Sequence, residues 1–150
     1  MKKQLMNLAT GEFFAICIFI YMYSLFNLGV SSFIAFLYLL FILFQGSVYW
    51  FYRYILLIKG ATPNIKVIKL LRVFRLVNMI LVLAIGIAIP IYKADMKDLV
   101  SALGLFLFGA IEYVNYYWYR LSYGKSGFNV KILFQTKLQK SNINKMINLQ

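Results

Sequence analysis

Four apolar runs dominate the chain: about Phe13–Val30, Phe33–Leu57, Leu70–Tyr92 and Leu99–Tyr119. Each approaches the ~20 residues that a helix needs to cross about 30 Å of hydrocarbon. The polar stretches between them carry capping chemistry. Thr10 before Gly11-Glu12 reads as an N-cap with an acid in the first turn, where the helix dipole favours it. Ser31-Ser32 opens the second helix, and Thr62-Pro63 supplies a cap and a first-turn proline for the third. Asp95 with Asp98 has the spacing of a capping box before the fourth, and Gly124 is its expected stop. Links this short make consecutive helices antiparallel neighbours. No small-x-small cleavage site follows the first run, so it is expected to be retained as a helix.

The predicted fold is therefore all-α: a four-helix transmembrane bundle over residues 1–123 and a basic tail over residues 124–150. In the tail, Val130, Leu133, Phe134 and Leu138 form one apolar side of a short amphipathic helix suited to lying on a leaflet. The stretch Ser141–Gln150 is expected to fray.

Composition agrees. Of 150 residues, 63% are hydrophobic and 13% charged, with a mean hydropathy of +0.77. A soluble domain carries about 25% charged residues, so this chain cannot clothe a water-facing surface. One cysteine, Cys17, excludes a disulfide framework and reads as a small packing residue. The absence of histidine removes the commonest metal ligand and general base. No cofactor and no metal are expected.

Charge distribution sets the orientation. Fourteen of the sixteen basic residues fall on one side: Lys2 and Lys3, the set from Arg53 to Arg75, and those from Arg120 onward. Only Lys93 and Lys97 fall on the other, beside Asp95 and Asp98. The positive-inside rule then places both termini in the cytoplasm. The net charge of +12 sits on membrane flanks, where it meets anionic inner-leaflet headgroups, so nucleic acid is not an expected partner. Lys66, Lys69, Arg72 and Arg75 recur every third residue, a spacing that resembles the arginine helix of voltage-sensor domains. There the charged helix is the fourth; here it is the third, with its charges at the cytoplasmic entrance, where long side chains snorkel to headgroups.

Depth makes the intramembrane polar residues informative. At 1.5 Å per residue, Gln45, Asn78 and Glu112 all lie about 18–20 Å from the outer boundary, on three different helices. Arg75 and Asn115 lie about a turn deeper, and Arg53 reaches the inner boundary. Small and polar residues mark helix contacts in lipid. Four stripes at helical spacing are accordingly placed inward. They are Phe13, Cys17, Ile20–Tyr21, Ser24 and Asn27; Tyr38, Ile42, Gln45, Tyr49 and Tyr52–Arg53; Arg75, Asn78, Val82 and Gly86; and Ser101, Gly104, Phe108, Glu112, Asn115, Tyr119 and Ser122. An intramembrane acid costs about 2.5–3.5 kcal/mol on insertion scales, so Glu112 is expected to pair with Arg75 and to be wired to Gln45, Asn78, Asn115 and Arg53. Eight of the twelve tyrosines and both tryptophans gather in the same half. Some form the interfacial belt; Tyr49, Tyr52, Tyr116 and Tyr119 are expected to line an aromatic and acidic inner pocket.

Two functions fit these features. One is a non-enzymatic accessory or regulatory membrane protein acting through lipids, a partner membrane protein or a second copy. The other is a small proton-linked transporter or channel subunit using Glu112. Enzyme chemistry on lipid or polyprenyl headgroups is disfavoured, because Glu12, Asp95, Asp98 and Glu112 are the only acids and do not converge in sequence.

Overall fold

The computed structural model describes residues 2–26, 28–121 and 139–148. Its helices are α1 (Lys2–Ser24), α2 (Val30–Lys59), α3 (Ile65–Tyr92), α4 (Met96–Tyr117) and α5 (Asn142–Ile147). Among the described residues there is no strand, and α1 to α4 are each long and apolar enough to cross a membrane. Large apolar side chains such as Phe14, Ile18, Leu83, Ile87 and Val100 stand exposed around the outside, a surface suited to lipid. The chain is an integral membrane protein by this reading.

All four long helices begin earlier than the hydropathy pattern suggests, because the residues ahead of each run continue the helix. Thr10 does not cap α1; its hydroxyl donates to the Met6 carbonyl at 2.9 Å, inside the helix. The cap of α3 is Asn64, whose side chain accepts from the Lys66 N–H at 2.9 Å, and Thr62-Pro63 precede it. Asp95 does cap α4, accepting from the Asp98 N–H at 2.6 Å. Helix α2 stops at Gly60, whose φ of 61° is the left-handed conformation that glycine adopts at no steric cost. Helix α4 ends at Tyr117, capped at Trp118, and so stops short of the expected end at Gly124; Asn27, Ser122, Gly124 and the expected amphipathic segment around Val130–Leu138 lie outside the described residues.

Cross-helix pairs show the directions. Ala9 meets Ser47 and Tyr23 meets Phe36, Gln45 meets Asn78 and Tyr52 meets Asn64, and Tyr113 meets Arg75 while Phe106 lies beside Gly86, so consecutive helices are antiparallel. The bundle is not symmetric. Helix α2 is the central one and packs on α1, α3 and α4, whereas the backbone of α1 comes close to that of α2 alone. The backbones of α1 and α4 therefore flank α2 without approaching each other.

Helices α2 and α4 run parallel and interlock through two glycines. A Cβ on Gly46 would fall 2.6 Å from the Tyr116 ring, and one on Gly109 would fall 2.9 Å from the Tyr38 ring. Each glycine is thus the socket for the other helix's tyrosine, as close packing in lipid requires. Asp98 fastens the outer end of this pair. Only 2% exposed, it accepts from the Ser32 N–H at 2.9 Å, the Ala94 N–H at 3.0 Å and the Ser32 hydroxyl. It is thus the side-chain cap of a neighbouring helix, where a capping box would have turned it back to Asp95. Ser31 completes the junction by donating to the Ile89 carbonyl at 2.8 Å.

The expected fraying of Ser141–Gln150 is overturned for the described part. Ile143, Met146 and Ile147 share one face of α5 at helical spacing and are buried against α3 and α4. Polar bonds hold the turn: Ser141 donates its hydroxyl to the Tyr116 carbonyl at 2.5 Å, and Asn144 donates to the Trp118 carbonyl at 3.0 Å. Arg72 reaches the Ile147 carbonyl at 3.3 Å.

Candidate functional site

The inward face of α1 differs from the expected one. Ala9 is buried and Leu5, Glu12, Ile16, Phe19 and Tyr23 are partly so, whereas Phe13, Cys17, Ile20, Tyr21 and Ser24 are exposed. The small-residue stripe faces outward because Glu12 and the aromatics Phe19 and Tyr23 make the contacts. Tyr23 stacks on Phe36 with ring centroids 4.0 Å apart, and Phe19 reaches across to Phe108 of α4 at 5.6 Å.

This rotation turns Glu12 from a presumed terminal cap into a mid-helix residue on the inner face. Counting from Ser24, it lies about 18 Å from the outer end of α1, the same depth as Glu112. Both carboxylates line one cavity of about 580 Å³ between α1, α2, α4 and α5. Its wall also holds Tyr49, Trp50, Arg53, Asn115, Tyr116 and Arg120. The Tyr116 ring, seated in the Gly46 socket, brings its hydroxyl between the two acids, close to both but without hydrogen-bond geometry to either. Tyr116 is 5% exposed and Tyr49 3%; both hydroxyls are buried and neither has a hydrogen-bond partner among the described residues. Trp50 meets Tyr49 edge to face, 5.1 Å between centroids.

The expected polar cluster separates into two groups. Glu112, Asn115 and Arg53 belong to the cavity, where Asn115 donates to Glu112 at 3.2 Å. Gln45 and Asn78 form a separate buried node between α2 and α3. Asn78 donates to Gln45 Oε1 at 2.8 Å and to the Phe74 carbonyl at 2.8 Å, and Tyr117 donates to the same Gln45 oxygen at 2.6 Å. The Glu112–Arg75 pair is not made. Arg75 projects from α3 on the far side of α4, with its guanidinium 5.2 Å from the centroid of the Trp118 ring, a cation–π contact in place of an ion pair.

The expected aromatic pocket keeps Tyr49 and Tyr116 only. Tyr52 accepts from the Asn64 N–H at 2.9 Å and ties the α2–α3 link. Tyr119 is exposed and pairs with Lys140 in a short antiparallel bridge. Glu12, Tyr117 and Asp98 were not assigned these roles from sequence. The usable signal for Glu12 was that no other charged residue stands between Lys3 and Arg53.

A second, apolar hollow of about 410 Å³ lies farther along the same α1–α4 side, lined by Phe19, Met22, Tyr23, Phe36, Ser101, Gly104 and Leu105 among others. The expected α4 stripe of Ser101, Gly104, Phe108 and Glu112 faces this side, towards α1. Among the described residues, no three His, Cys, Asp or Glu side chains converge on one point. Compared with known protein families, curated proteins and solved structures, the chain matches none.

Proposed function

We propose that this chain is a non-enzymatic membrane protein that acts by binding, as an accessory or regulatory component in contact with lipids or a partner, and that the Glu12–Glu112 cavity is its working part. The observation that carries the reading is the meeting of two carboxylates, from helices whose backbones stay apart, in one cavity at membrane depth. Intramembrane acids are costly and mark ligand or ion sites. A purely structural clamp joins two helices through complementary groups, as Gln45 and Asn78 join α2 and α3; Glu112 instead accepts from Asn115 of its own helix. Both termini are assigned to the cytoplasmic side of a cell membrane by the basic excess at that end, where the flanking lysines and arginines meet anionic headgroups.

Native mass spectrometry of the protein released from mild detergent tests this. A bound molecule of defined mass, retained by the wild type and lost in a Glu12→Gln/Glu112→Gln double variant, is the expected result. Bare protein, or identical adducts in both, refutes it.

A second reading, a proton-linked transporter or channel subunit, is favoured by the same acids and by the apolar hollow that extends the α1–α4 side towards the other end. Its signature is pH-dependent flux in proteoliposomes that vanishes in the Glu112→Gln variant.

A further inference from the structure

We propose that the cavity takes the headgroup of an aminophospholipid, with the primary ammonium between Glu12 and Glu112 and the phosphate at Arg53. This rests on the binding reading above and names the ligand class.

Two carboxylates sharing a low-dielectric site repel each other unless a cation or a proton lies between them. Arg75, the cation expected to fill that role, is committed to Trp118 on the other side of α4, and the arginines in the wall of the cavity are Arg53 and Arg120. The Tyr49 hydroxyl is independent evidence of a missing partner. It is more than nine-tenths buried, lacks a hydrogen-bond partner among the described residues, and belongs to a residue that lines the cavity. A hydroxyl oxygen and a carboxylate accept hydrogen bonds, and a primary ammonium offers three donors. A quaternary ammonium offers none, so the site discriminates ethanolamine-like from choline-like headgroups. The faces of Trp50 and the tyrosines add cation–π attraction.

Arg53 lines the same cavity. A guanidinium binds phosphate through paired N–H donors, so the wall presents acids and a base to the two charges of a zwitterion. The acyl chains have a place as well: the apolar hollow beside Phe19, Phe36 and Leu105 lies on the same α1–α4 side.

The test uses the full chain in maltoside micelles with Trp118→Phe, which leaves Trp50 as the only tryptophan. Dihexanoyl-phosphatidylethanolamine is the probe, and dihexanoyl-phosphatidylcholine, dihexanoyl-phosphatidylglycerol and dodecylamine are the comparison arms. The ethanolamine lipid should shift Trp50 emission saturably, with the choline and glycerol lipids at least about tenfold weaker. Glu12→Gln/Glu112→Gln should weaken the ethanolamine lipid by about tenfold or more, and Glu112→Asp should restore part of it. Arg53→Gln should weaken that lipid while leaving dodecylamine unchanged. Unchanged unfolding midpoints show that the variants fold.

Equal binding of the three lipids overturns the proposal. So does binding that is indifferent to the acids. Dodecylamine binding tighter than the ethanolamine lipid, with Arg53→Gln without effect on either, also overturns it and makes a free cationic amphiphile the ligand. In native mass spectrometry, an adduct that is no aminophospholipid overturns this inference alone, whereas no adduct overturns the binding reading as well.

Discussion

Gly46 decides whether Tyr116 can occupy its place in the cavity wall. In Gly46→Ala the new methyl would lie 2.6 Å from the Tyr116 ring carbon Cζ, against an ordinary carbon–carbon separation of about 3.5–4.0 Å. The ring must move by about an ångström, yet it is wedged between α2 and α4 and 5% exposed. Overpacking of this kind costs about 1–3 kcal/mol, offset by about 0.5–1 kcal/mol from alanine's better helix propensity. The net expectation is a destabilisation of about 1–2 kcal/mol. Gly104→Ala on α4 is the internal control, because nothing lies within 4 Å of its Cβ; it should be neutral or stabilising by about 0.5 kcal/mol. Reversible unfolding in mixed detergent micelles, followed by helical circular dichroism, reads both. In a Tyr116→Ala background the cost of Gly46→Ala should disappear. If Gly46→Ala proves as stable as Gly104→Ala, or keeps its cost without Tyr116, the interlock of α2 and α4 described above is wrong.

Three further outcomes follow from the packing. Asp98→Ala strands two N–H donors at the outer junction, while the Ser32 hydroxyl keeps the Asp98 backbone carbonyl, and should cost about 3 kcal/mol or more in unfolding free energy, against about 1–2 kcal/mol for Ser32→Ala; equal small effects would contradict the capping role. Arg75 and Glu112 should be energetically independent, so a double-mutant cycle of Arg75→Gln with Glu112→Gln should give a coupling below about 0.5 kcal/mol; a coupling above about 1.5 kcal/mol would restore the ion pair. Ile143→Ala should cost about 2–4 kcal/mol and expose residues 139–148 to protease; a wild-type midpoint and cleavage pattern would mean that α5 is not docked.

The stripe Tyr38, Ile42, Gln45 and Tyr49 was readable because α2 is surrounded by other helices, so polar and aromatic residues repeat where neighbours are. The Asn78 side of α3 was readable for the same reason, a single amide in an apolar run demanding a partner. Helix α1 misled because its backbone approaches only α2, and an outer surface bathed in lipid is as apolar as the contact itself. Hydropathy then carries no phase, and capping logic assigned Thr10 and Glu12 to a terminus that lies at Lys2. The pairing of Glu12 with Glu112 spans one hundred residues and depends on that phase. The role of Asp98 was hidden differently: its spacing from Asp95 fits a local capping box, and only the three-dimensional approach of Ser32 reveals the other use.

Glu12, and not the Phe13–Cys17 side of α1, faces Glu112. Cross-linking in a Cys17→Ala background tests it most directly, with Glu12→Cys/Glu112→Cys compared with Phe13→Cys/Glu112→Cys and a short bis-maleimide applied in native membranes. An intramolecular cross-link is expected for the first pair and none for the second. A cross-link through position 13 and none through position 12 would turn α1 about its axis and dissolve the site.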